Sequence, residues 1–357
     1  MIATVSIDQA EYDLREPLVR LSRDLKRAAR QLTARDARWL TDQYYIMQDA
    51  RIRAASQQRT QAEQAEPHEL IGWVFDTQKR FEAVLQGALG EFAASYRVGQ
   101  WMQAQCGIGP ILSAACLANL DIRKAPTVGH IWRFCGLDPG MKWLGKERAK
   151  ELVERVVGKS SNLSEAMAEE IHAQTNHHVA NIQAAWVKGI KTQKGLVKGR
   201  IGLLKFLSRR PWNARLKAIL VYRMGECFVK TQNNEASYYG RLYRIQKDAL
   251  IMANDAGNFA AAAAEQLEEK KIGKQTECYK HLTAGHLPPA QIHARARRWA
   301  VKLFLSHLHH VMYWDYHEQD PPHPYIFERP ENGDHRHLLC PPLWPGEYDG
   351  RRLKEMT

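Results

Sequence analysis

Cys106-Gly107-Ile108-Gly109-Pro110-Ile111-Leu112-Ser113-Ala114-Ala115 is the stretch from which the rest of the chain is read. Two glycines flanking an apolar residue admit a tight turn that a Cβ would obstruct. Pro110 suits the first turn of a new helix, where its missing N–H costs nothing. Backbone amides at such a bend, just ahead of a helix N-terminus, suit a phosphate oxygen. The segment therefore reads as the hairpin of a helix-hairpin-helix, a device that holds a nucleic-acid backbone. The plainer alternative is an ordinary turn between two helices.

Working outward, residues 101–145 form the hairpin module. A small apolar helix through Ala114, Ala115 and Ala118 is followed by a linker ending at Pro126. A second helix runs from Val128 to Cys135, and Gly136-Leu137-Asp138-Pro139-Gly140 closes the module with turn chemistry. Upstream, residues 1–100 predict an N-terminal helical arm or bundle. Leu14, Leu18, Leu21 and Leu25 mark one helix face, and Thr33 with Asp36 forms a capping pair for a helix carrying Ala37, Leu40, Tyr44 and Met47. A third helix turns Leu70, Val74, Phe81, Leu85, Phe92 and Tyr96 inward. This arm reads as scaffold or as a surface for homo-oligomer formation.

Downstream, residues 146–210 read as a basic helical insertion. From Lys188 to Arg210 it holds Lys188, Lys191, Lys194, Lys198, Arg200, Lys205, Arg209 and Arg210 with no acid, and its glycines predict flexibility. Residues 211–320 predict a C-terminal helical region. Leu216, Ile219, Leu220, Met224 and Phe228 are its first apolar set, Phe259–Leu267 an alanine-rich packing stretch, and Gln291–Trp314 its strongest helix. On that helix Ile292, Ala296, Trp299, Leu303 and Val311 share one face. Arg295, Arg298, Lys302 and His309 form a basic stripe on another. Residues 321–357 read as an extended Pro-rich tail wrapping the body. The fold class is thus all-α throughout.

The chain carries 51 Lys+Arg against 39 Asp+Glu over 357 residues, a net +12 that favours a polyanionic partner. It has no apolar run of membrane-spanning length, which predicts no membrane partner. Its first residues lack the pattern of a signal peptide, and no Cys-x-x-Cys pair joins its six cysteines. These features predict a cytoplasmic protein. Phosphate-binding loops, Ser/His/Asp patterns and His-Glu-x-x-His motifs are missing, so no cofactor is implied. His335-x-His337-x-x-Cys340, completed by His307 and His310, is the one metal-like spacing. Without a paired second cysteine it reads as tail and helix-surface histidines, and no metal is expected. Trp132, Trp143, Trp212 and Trp299 lie beside basic residues. They read as buried core, with stacking on unpaired bases as the alternative.

Gly107-Ile108-Gly109-Pro110 with Ala114-Ala115, then His130-Ile131-Trp132-Arg133-Phe134 and Gly136-Leu137-Asp138-Pro139, resembles the C-terminal domain of insertion-sequence transposases of the IS-one-ten type. Arg210-Pro211-Trp212-Asn213-Ala214-Arg215-Leu216-Lys217, Tyr238-Tyr239-Gly240 and Arg295-Ala296-Arg297-Arg298-Trp299-Ala300-Val301-Lys302 continue the resemblance. That later set is most similar to standalone phage and mobile-element relatives without an RNase-H-like domain. The resemblance implies DNA handling in transposition or recombination. In the full transposases it implies an acidic RNase-H-like site, a serine nucleophile and an RNA guide. This chain departs on both catalytic counts. Val5-Ser6-Ile7-Asp8 opens no strand series, and Lys142-Trp143-Leu144-Gly145-Lys146 stands where the serine is expected. Ser160 and Ser161 lie further on.

Three functions follow from these residues. The first is DNA binding through the amides of Gly107, Ile108 and Gly109, with Lys142, Lys146, Arg210, Arg215, Lys217, Arg295, Arg298 and Lys302 neutralising phosphates. The second is a divergent serine recombinase-like strand transferase, acting alone or with a separately encoded RNase-H-like partner, its catalytic residues unassigned. The third is a non-catalytic assembly subunit binding DNA or structured RNA.

Overall fold

The computed structural model describes residues 23–64, 68–322 and 340–356. Among the described residues the fold is all-α apart from one two-stranded hairpin. It divides into two compact units. A main unit comprises Met1–Pro126 with Arg223–Thr357, and an inserted unit comprises Thr127–Tyr222.

In the main unit, α1 (Arg23–Arg30) precedes a helical hairpin of α2 (Ala34–Glu63) and α3 (Glu69–Ala94). Thr33 and Asp36 cap α2 reciprocally, as their spacing predicts. Glu82, buried between the two long helices, receives the Arg51 guanidinium at 2.5 Å. Helices α4 (Arg97–Gln103) and α5 (Pro110–Asn119) flank the glycine bend. Leu85 and Phe92 point inward as expected, but Leu70 is 56% and Phe81 43% exposed. The reason is geometric. Among the described residues the apolar stripes of α2 and α3 are covered over only part of their length. Tyr96 is buried, yet it caps α4 instead of extending α3.

The chain returns to the main unit through α12 (Gly225–Lys230), α13 (Tyr238–Asp255), α14 (Ala260–Glu269), α15 (Glu277–Thr283) and α16 (Pro289–His317). The long α16 organises the core. Phe304 stacks on Trp101 of α4, meets the Tyr239 ring edge-on and packs against Phe228. Its buried histidines are hydrogen-bonding partners within the core: His307 pairs with the Tyr239 hydroxyl at 2.9 Å, and His309 reaches the Ala125 carbonyl at 2.9 Å. His309 therefore does not belong to a surface basic stripe. The alanine-rich α14 packs through Ala263 with Leu282, Leu287 and Ile292, as its composition predicts. Residues 340–356 lie along the same unit. The Trp101 indole donates to the Pro342 carbonyl, Arg351 covers the Tyr96 ring, and the Leu353 amide donates to buried Asp315.

The inserted unit holds α6 (Val128–Phe134), α7 (Gly145–Val156), α8 (Glu165–Thr175), α9 (Val179–Val187), strands β1 (Ile190–Thr192) and β2 (Gly195–Val197), α10 (Gly199–Ser208) and α11 (Ala214–Lys217). Residues 218–224 continue α11 as a π-helical stretch leading to α12. The core is small: Ala149, Leu152, Val153, Ala168, Ile171, Ile182, Leu203 and Leu207 interlock between α7, α8, α9 and α10.

Two sequence expectations change here. The hairpin module drawn as 101–145 divides at Pro126/Thr127, and the insertion drawn as 146–210 widens to Thr127–Tyr222. The cause is α6, whose Arg133 donates to the Asn176 carbonyl at 2.5 Å and whose Phe134 carbonyl accepts from Asn213. The glycine-bearing basic stretch, expected to be flexible, instead forms the β1–β2 hairpin and α10. Gly189, Gly195 and Gly199 all adopt positive φ, a conformation that shapes turns in an ordered chain.

Candidate nucleic-acid interface

The glycine bend lies in the main unit between α4 and α5. Gly107 adopts φ +91°, and a Cβ there would meet Thr231 and Cys227. Ile108 is 3% exposed, a plug that fixes the bend to the core. Its amide donates to the Gln105 carbonyl at 3.0 Å, so it is not offered to phosphate. Gly109 is the outward member: it is exposed, a Cβ there would touch nothing, and as N-cap of α5 it supplies no side-chain cap. Its carbonyl accepts from the Ser113 hydroxyl at 3.1 Å, tying the bend to the helix it opens.

The inserted unit gathers most of the remaining predicted cations. It contains 17 Lys+Arg and 7 Asp+Glu, a net +10 of the chain's +12, so the main unit's 34 and 32 nearly cancel. From Ile171 through Tyr222 there is no acidic residue. Folding then concentrates this charge. Trp143 is 45% exposed, contrary to the expectation of a core indole, and the Arg210 guanidinium lies 4.7 Å over its ring. The indole N–H donates to the Ser208 carbonyl, and Arg209 donates to the Lys191 carbonyl. These bonds join the 142–146 turn, the end of α10 and the β-hairpin into one cluster. Lys142, Lys146, Lys191, Lys194, Lys198 and Lys205 are exposed in this unit. Lys217 stands 4.2 Å over the Trp212 ring, which also abuts Gly136, and Arg215 is exposed beside it.

Arg295, Arg298 and Lys302 belong to the main unit, on α16. Arg298 is exposed, Lys302 is half-buried, and Arg295 lies 5.0 Å over the Phe259 ring. Their neighbour Arg297 turns inward and pairs with Glu226. The proposed phosphate contacts thus fall in two groups, one in each unit. The sequence reading gave Arg210 and Trp143 no role together. Residues 143 and 210 meet only through tertiary folding, and no local pattern signals it.

Among the described residues no group of His, Cys, Asp and Glu could hold a metal ion. His335, His337 and the Val5–Asp8 stretch lie outside the described residues. Ser160 donates to the Asn162 carbonyl within an exposed turn and has no acid or base hydrogen-bonded to it. No helix among the described residues is long and apolar enough to cross a membrane. Comparison with protein-family models, with curated proteins and with solved structures finds no match.

Proposed function

We propose that this chain binds duplex DNA in a cytoplasmic transposition or recombination setting, chiefly through phosphate contacts made by the inserted unit. One observation carries the reading: nearly all of the net charge resides in a unit of about a quarter of the chain, on a run without acids. Such a surface attracts phosphate and releases counterions on binding. The planar Arg209 and Arg210 guanidinia suit bidentate phosphate contact, and the half-exposed Trp143 offers a stacking face. The bend adds one uncovered site at Gly109. The transposition setting rests on the resemblance of the bend and the Arg210–Lys217 and Arg295–Lys302 stretches to insertion-sequence transposases. No catalytic residue is proposed.

Fluorescence anisotropy of the full chain with a 30-base-pair duplex, across a salt series, tests the reading. Binding should weaken linearly in log–log form as salt rises, with a slope reporting several released counterions. Salt-independent binding, or none at low salt, overturns it.

A second reading is favoured by a separate observation. Trp39, Ile46, Leu70 and Trp73 on α2 and α3 are each more than half exposed, which supports an assembly role for these helices. Under that reading the chain is a non-catalytic subunit holding DNA or structured RNA within a homo-oligomer. Sedimentation of the full chain with and without Trp39→Ser and Trp73→Ser tests it, since loss of a multimer is the required outcome.

A further inference from the structure

The proposed phosphate contacts carry no sequence information, but the inserted unit contains an arrangement suited to reading bases. Helices α8 and α9 are joined by only three residues, Asn176, His177 and His178. The turn is held from several sides. Asn176 takes the left-handed conformation at φ 56°, and Arg133 donates to its carbonyl. His177 is buried with its ring 4.7 Å from Phe206 of α10, and its carbonyl bonds to His172 of α8. A three-residue connection of this kind is the turn length of a helix-turn-helix, whose second helix enters the major groove.

The surface of α9 fits that use. Ile182 and Ala185 are buried toward the unit's core. Ala180, Asn181, Ala184, Val187 and Lys188 recur at helical spacing on the opposite side. Small Ala180 and Ala184 permit close approach. The side-chain amide of Asn181 is exposed on this face, and Val187 is 67% exposed. Asn and Gln pair bidentately with adenine edges, and an exposed aliphatic group accepts a thymine methyl. No acid on α9 or in the following hairpin opposes a polyanion, and the hairpin brings Lys191, Lys194 and Lys198 to the end of this helix.

We infer that α8, the 176–178 turn and α9 form a helix-turn-helix that places α9 in the major groove of B-form DNA, with Asn181 reading a base edge, Val187 meeting a thymine methyl and the β1–β2 hairpin on the adjoining backbone. This inference rests on the phosphate-binding reading above, and the experiment separates the two. Selection of the full chain against a randomised duplex pool should enrich a motif, preferred over scrambled duplex by at least about tenfold at fixed salt. Asn181→Ala should cut that preference by about fivefold or more, as loss of one bidentate base contact requires, while affinity for scrambled duplex stays unchanged. Val187→Ser provides a second, independent variant, and circular dichroism of both confirms the fold. Binding of scrambled duplex without any enriched motif overturns the base-reading role alone. So does a preference that survives both substitutions. Tighter binding of the corresponding A-form RNA duplex also overturns it, because that major groove is too narrow for a helix. Failure to bind any duplex at low salt overturns both readings.

Discussion

The two units differ most in how they use polar groups. The main unit spends its charges on itself: its Lys+Arg and Asp+Glu nearly balance, and Arg51–Glu82, Arg297–Glu226 and Arg30–Glu91 are internal ion pairs. Its core histidines are tied to tyrosine hydroxyls or carbonyls. The inserted unit leaves most of its cations facing solvent. Its arginines 209 and 210 are held by a carbonyl and a tryptophan ring, arrangements that position charge without neutralising it. Charge kept for solubility would be spread over both units. Segregation of this degree is what the proposed binding of a polyanion to one unit more than the other calls for.

The largest expected effect comes from moving that imbalance. Lys191, Lys194, Lys198 and Lys205 changed together to Gln should weaken duplex binding by orders of magnitude at moderate salt. They should also reduce the log–log salt slope by as much as about 3.6, at about 0.9 per phosphate lost. Arg295, Arg298 and Lys302 changed together to Gln should have the smaller effect. Anisotropy titrations at several salt concentrations decide between them, and a larger loss from the α16 set would reverse the assignment of the units.

A second effect tests whether the inserted unit depends on its own core. Leu203 is fully buried among residues of α7, α8 and α9. Leu203→Ala leaves a cavity that the small core cannot readily close, at a cost of about 2–5 kcal/mol. Urea unfolding followed by tryptophan fluorescence should show this loss, with DNA binding falling in the same denaturant range. Undiminished stability would show that the helices are held by something other than that cluster.

Acid should also distinguish the units. His177, buried in the α8–α9 turn, has its pKa pushed down to about 4, first by burial and then by Arg133 and His178. Its folded value lies below the ordinary 6.5, so the unfolded chain takes up the proton first. The contribution to stability is complete above pH 6.5 and is lost as pH falls toward 4. Asp315 of the main unit works oppositely: burial raises its carboxyl above the ordinary value, and the resulting stability is present at low pH and lost as pH rises through that value. Thermal unfolding at pH 7, 5.5 and 4.5 should therefore show a drop that His177→Gln makes shallower. An equal drop in the variant would place the acid-sensitive group elsewhere.

Legibility in the sequence followed the range of the interaction. The Thr33–Asp36 cap, the apolar run from Leu216 to Phe228, the α6 boundaries and α16 were readable because capping and helical periodicity act over a few residues. His309 was misplaced on a basic stripe because its partner, the Ala125 carbonyl, is 184 residues away. Leu70 and Phe81 read as core because periodicity gives a helix's apolar face without showing whether another helix covers it. The Lys188–Arg210 stretch read as flexible because glycine content alone does not tell a loop from an ordered hairpin set by positive φ. Of the candidate interface, charge and bend were legible; the Trp143–Arg210 pairing and the division of cations between units were not.

The smallest predicted effect concerns the bend itself, where two glycines either side of Ile108 separate conformation from contact. Gly107 needs its positive φ, so Gly107→Ala should destabilise the main unit by about 1–2 kcal/mol whether or not a ligand binds. Gly109 has an ordinary φ of −91° and open space at the Cβ position, so Gly109→Ala should cost only about 0.5 kcal/mol, from the poorer N-cap. If a phosphate approaches this bend, the new methyl stands in its path, and duplex affinity should fall a few-fold with the salt slope reduced by about one. If affinity and slope both match the parent chain, the bend is a structural turn of the main unit, and the DNA-binding role belongs to the inserted unit without it.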